Sequence, residues 1–137
     1  MEERNMVVGM LKSLHKFIVV ELIELVDGTV EIHKNNFDSD HYCTTITNNT
    51  GTSILVVCRL ISRGSRTRLR TIIYNNIVKD EEISFNFNFD DNSVEINYLN
   101  VDDGLDEDLV SNDGVLNKFY NNFLKNGVAE EFIRKIR

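Results

Sequence analysis

The chain has no proline, only two cysteines in 137 residues, too few basic residues for its acids, and no long apolar run. Each shortage excludes a class. Without proline, and with 42% hydrophobic and 27% charged residues, the composition is neither collagenous nor disordered and sits near the globular average. Cys43 and Cys58 lie in apolar, β-branched surroundings, which reads as two buried thiols in a reducing compartment, not a disulfide framework or a metal knuckle. The most apolar stretch, residues 17–26, is cut by Glu21 and Glu24, far short of the roughly 20 residues of a membrane helix. Fifteen Lys and Arg against 22 Asp and Glu give a net charge of −7, the wrong sign for a chain that mainly coats nucleic acid or anionic lipid. The start, Met1-Glu2-Glu3-Arg4, has neither the basic-then-apolar order of a signal peptide nor the acid-poor character of an organelle presequence. The length favours one domain over 1–137.

What is present is ordered periodicity. Met6, Met10 and Leu14 recur every four residues beside Val7 and Leu11, which predicts an amphipathic helix over 2–16. Residues 17–26 turn dense and β-branched and read as a strand, with Asp27-Gly28 as a hairpin turn into 29–33. Strands are expected at 42–47, 53–62 and 67–75, the last two joined at Arg63-Gly64-Ser65. The clearest hairpin sets Ile83, Phe85, Phe87 and Phe89 in alternation with polar residues, then Asp90-Asp91-Asn92, then Val94, Ile96 and Tyr98. Phe85, Phe87 and Phe89 should share one buried face. After an acidic loop over 101–113, Val115, Leu116, Phe119, Tyr120, Phe123 and Leu124 return to helical spacing. Asn126-Gly127 then reads as a left-handed cap before a helix carrying Phe132, Ile133 and Ile136. The expected fold is α+β: a helix over 2–16, an antiparallel twisted sheet of about seven strands over 17–100, and helices over 114–126 and 128–137 packed on one face.

Charge is segregated along the chain. Residues 41–79 hold six basic and no acidic side chains, whereas 80–113 hold twelve acidic and no basic ones. Two readings of the acidic block stand side by side. It is a solubilising rim that blunts sheet edges, or it is a concentrated field for basic partners, carried by Asp80, Glu81, Glu82, Asp90, Asp91, Asp102, Asp103, Asp106, Glu107 and Asp108. Arg59, Arg63, Arg66, Arg68 and Arg70 lie on one predicted hairpin, and Arg66, Arg68 and Arg70 share a strand face. They serve as counter-charges to the acidic block, or they contact phosphates, a reading that the net charge and the lack of interleaved aromatics weaken.

The glycines sit singly and form neither a Walker loop nor a dinucleotide fingerprint. His33, His41 and Cys43, with Asp38 and Asp40 between them, match no paired metal-ligand spacing. Solvated loop aspartates give no reason for a raised pKa, so nothing argues for catalysis or for a cofactor. Asn48-Asn49-Thr50 fits a glycosylation sequon, which means little without an export signal.

The stretch from Val115 to Ile136, with Asn126-Gly127-Val128, Phe132 and Ile136 at its break and second helix, resembles the signature of the mitochondrial acidic matrix protein family. That family is also called the mitochondrial glycoprotein family and includes a receptor for the globular heads of a complement component. Asp27-Gly28-Thr29 through Asn48-Asn49 is similar to the family's first strand pair. Family members carry a longer final helix, which bears on assembly more than on the sheet. The resemblance implies a non-enzymatic, homotrimeric matrix adaptor that binds basic proteins, those of the mitochondrial ribosome or RNA machinery included, and supports translation and respiration. The trimer interface is expected at Met6, Met10, Leu14, Phe132 and Ile136. The rival reading is a small chaperone or regulatory module that holds an apolar segment on an open sheet face.

Overall fold

Leu11, Leu14, Ile18, Leu22 and Val26 follow one another at three- and four-residue steps, and none is more than 6% exposed. In the computed structural model, which describes residues 2–35, 40–64, 66–76, 81–100 and 114–136, this stripe makes one helix, α1, over Glu2–Leu25. Residues 17–25 of the expected strand over 17–26 are therefore the second half of α1, and Val26 follows it. Its β-branched residues cost only about 0.5 kcal/mol each in a helix, whereas each buried aliphatic side chain gains roughly 2 kcal/mol. The apolar stripe decides the outcome. Asp27-Gly28 is consequently a link from helix to sheet and not a hairpin turn, with Gly28 at φ 82°. Asn48 fastens this link by donating from Nδ2 to the Asp27 carbonyl at 2.7 Å, while its Oδ1 accepts the backbone N–H groups of Thr50 and Thr52.

The described strands are six, not about seven: β1 (Val30–Lys34), β2 (His41–Asn48), β3 (Ser53–Arg63), β4 (Arg66–Asn75), β5 (Glu81–Asn88) and β6 (Val94–Asn100). Each pairs antiparallel with the next in chain order. Three short elements follow: α2 (Val115–Phe119), a π turn (Tyr120–Leu124) and α3 (Val128–Ile136). Gly127, at φ 79°, separates the last two, a backbone state that L side chains adopt at a cost.

Strand alternation sends Ile54, Val56, Cys58 and Leu60 of β3, Leu69, Thr71 and Ile73 of β4, and Ile83, Phe85 and Phe87 of β5 to one face. All are buried there. Phe89, just past β5, is partly buried and meets Phe87 edge-on, with ring centres 5.3 Å apart. The helix α1 packs on β2 and β3 and touches α2 and α3. The C-terminal helices reach β5 and β6, where Tyr120 meets Tyr98 and the Arg134 guanidinium sits over the Phe87 ring. Phe17, on α1, stacks on Phe132 with ring centres 4.3 Å apart. Met10 and Leu14 are thus spent in the chain's own core, and Phe132 and Ile136 pack against it, while Met6 is 48% exposed. No helix among the described residues is long and apolar enough to cross a membrane.

Candidate binding face

Every buried sheet side chain named above points to the helices. On the opposite face of β2–β5 no described side chain is fully buried and no described helix lies over it. Its chemistry is set by parity and register together. β3 passes to β4 within two residues, so the hairpin aligns Arg63 with Arg66, Ile61 with Arg68, Arg59 with Arg70, Val57 with Ile72 and Leu55 with Tyr74. All of these residues share the uncovered face. Directly opposite residues have Cβ atoms about 5 Å apart, and successive rows on one face lie about 7 Å apart. Five guanidinium groups therefore occupy one end of the face and aliphatic residues the other.

Such crowding is unfavourable by itself. Two guanidinium groups about 6 Å apart repel by roughly 0.7 kcal/mol even at the dielectric constant of water. The described ion pairs, His33–Glu31, Arg134–Glu130 and Lys135–Glu131, neutralise none of the five. Arg70 carries a further strain, since its Nε is shielded from solvent and has no partner among the described residues. Asn86, its neighbour across the β4–β5 ladder, has an equally shielded Oδ1.

Hollows lined by described residues run along this face. A groove of about 480 Å³ lies at the turn end, lined by Arg63, Arg66 and Arg68 on one side and Asp90, Asp91 and Glu95 on the other. Asp91 is held below the usual carboxylate range, first by hydrogen bonds from Ser93 and in small part by Arg66. A second groove of about 370 Å³ is lined by Arg59, Arg63, Arg68 and Arg70 with Ile61, Ser62 and Asp40. A smaller hollow of about 170 Å³ continues it over Val57, Ile72 and His41.

The acidic residues singled out from the sequence are not gathered in one place. Glu81 shares the parity of Ile83 and Phe85 and is 4% exposed under the helices, where Tyr98 Oη and Asn75 Nδ2 donate to its two carboxylate oxygens at 2.7 Å each. Glu82 lies on the uncovered face near the end of β4, opposite Tyr74. Asp90 and Asp91 sit in the turn at the other end of β5 from Glu82. Asp80, Asp102, Asp103, Asp106, Glu107 and Asp108 lie outside the described residues, as does Asp38. His33, His41 and Cys43 share a face, but among the described residues no three His, Cys, Asp or Glu side chains come together as a metal site. Burial pushes the Cys43 thiol up and the Cys58 thiol up to about 12, which disfavours the thiolate in both.

The pairing of Arg59 and Arg63 with Arg66, Arg68 and Arg70 escaped the sequence reading. Its signal was the short link after Arg63, since β4 begins at Arg66 and so tight a connection fixes the register of the hairpin. Comparison with protein families, curated proteins and solved structures finds no significant match to this chain.

Proposed function

We propose that this chain is a non-catalytic binding module whose uncovered sheet face docks an acidic, partly apolar segment of another protein. The carrying observation is the group of five arginines aligned on β3 and β4, with no described carboxylate paired to them and a strip of Leu55, Val57 and Ile72 beside them. Carboxylates suit the first half of that surface and aliphatic side chains the second. Nucleic acid suits it less well, because single strands are held by stacking on aromatic rings and Tyr74 is the one ring of the β3–β4 rows.

The test is titration of the isotope-labelled chain with the peptide Glu-Leu-Glu-Ser-Glu-Leu-Glu, followed by amide shifts. Shifts clustered on Val57, Arg59, Arg68, Arg70 and Ile72, lost in 0.5 M salt and in the triple variant Arg66→Gln, Arg68→Gln, Arg70→Gln, are the expected result. Shifts confined to the helical side, or none at millimolar peptide, would refute it.

A second reading keeps the acidic matrix adaptor that the family resemblance implies, a mitochondrial homotrimer for basic proteins. It is favoured by the element order and by the break at Gly127 between the C-terminal helices, although a fold does not carry a function by itself. Reversing Asp102, Asp103, Asp106, Glu107 and Asp108 to lysine should abolish capture of a defined basic peptide under this reading and leave it unchanged under the first.

A further inference from the structure

We propose that the groove walled by Arg59, Arg63, Arg68 and Arg70 receives the phosphate of a phosphorylated serine or threonine in an extended partner segment, with an apolar residue two positions away seated on Val57 and Ile72. This rests on the docking reading above and names the ligand class of that same face.

Charge argues for phosphate over carboxylate. The groove of about 370 Å³ brings four guanidinium groups together with a single carboxylate, Asp40, which has an interaction of its own. A carboxylate supplies one charge and two oxygens. A phosphomonoester near pH 7 supplies about −1.5 to −2 and three strong acceptor oxygens, enough for several guanidinium forks at once. Geometry argues the same way. Arg59 and Arg70 are directly opposite each other, so their forks can close on one group from two strands.

The spacing gives the apolar requirement. The hollow over Val57 and Ile72 shares Arg59, Arg70 and Ile61 with the four-arginine groove. The row of Val57 and Ile72 follows the row of Arg59 and Arg70 by about 7 Å, the distance between alternate side chains of an extended peptide. A phosphate over the arginines therefore places the residue two positions before or after it on the aliphatic row.

The probe is the peptide Glu-Leu-Glu-Ser-Glu-Leu-Glu with and without phosphate on its serine, measured against the full chain by fluorescence anisotropy in 0.15 M salt. Phosphorylation should tighten binding at least tenfold, and glycine in place of both leucines should lose at least fivefold. The pair Arg59→Gln, Arg70→Gln should erase the gain from phosphate. Arg70→Lys, which keeps the charge and loses the fork, should erase part of it. Unchanged far-ultraviolet circular dichroism verifies the fold of each variant, and Arg68→Gln alone serves if the pair does not fold. A gain below threefold, with the parent peptide still bound to this face, overturns the phosphate site and leaves the docking surface standing. Failure of both peptides to bind overturns both. Tighter binding of a single-stranded oligonucleotide of equal charge, lost in the same variants, assigns the face to nucleic acid and also overturns the proposal.

Discussion

Mild acid should loosen α1 from the sheet through one imidazole. His15 is 7% exposed between α1 and β2, stacked on Tyr42 with ring centres 5.5 Å apart, and its Nε2 is 2.8 Å from the Thr44 hydroxyl. Burial, with a smaller push from Lys34 at the register position opposite Thr44, lowers its pKa from 6.5 to about 4. The unfolded chain takes up this proton as pH falls through about 6.5, whereas the folded chain resists until about 4. In that window the unfolded state binds more protons, so stability falls as pH falls and is fully present above the window. A shift of this size corresponds to about 3 kcal/mol, a large fraction of the roughly 5–15 kcal/mol that holds a domain together. Urea unfolding at pH 7.5 and pH 4.5 should show the wild type losing about 2–3 kcal/mol more than His15→Gln, which keeps a polar group near Thr44 without titrating. Carboxylates such as Asp91 and Glu21 titrate in both proteins and cancel in the difference. Equal losses in the two proteins would refute the reasoning.

Phe87→Ala, at 0% exposure under the C-terminal helices, should cost about 3–5 kcal/mol in urea unfolding. Glu81→Leu should cost about 1–3 kcal/mol by stranding Asn75 Nδ2 and the Tyr98 hydroxyl, and a surface carboxylate would show almost none of this. Alanine at Gly9, in α1 with open space around it, should stabilise by about 0.5–1 kcal/mol. Alanine at Gly127, equally unhindered but at φ 79°, should destabilise by about 1–2 kcal/mol, and opposite shifts of the thermal midpoint check the pair.

Much of the local structure was legible in the chain. The alternation through Ile83, Phe85 and Phe87, with the turn at Asp90-Asp91-Asn92, placed the β5–β6 hairpin, whose register sets Phe87 opposite Val94. Asn126-Gly127 marked the break that φ 79° realises. The α+β order and the one-sided placement of helices followed from the same patterns, because a half-apolar sheet needs cover on one face only.

Three things waited for the tertiary structure. Residues 17–26 carry both a β-branched composition and a four-residue stripe, and only a sheet surface able to bury Ile18, Leu22 and Val26 favours the helix. Glu81 belongs to the acidic run in sequence but to the core in space, because its parity matches Phe85 and because Tyr98 and Asn75 supply the hydrogen bonds that make its burial tolerable. The arginines gave the third case. Composition set their number and alternation set their side on β4, but the cross-strand meeting of Arg59 with Arg70 depends on hairpin register. Register also sets which acids come near them: β5 carries Glu82 to the far end of the face and brings the Asp90-Asp91 turn to the groove that Arg63, Arg66 and Arg68 line. Residue type and period decide which face a side chain takes. Which charges meet across that face is decided by how strands align, a relation between distant segments that no local pattern contains.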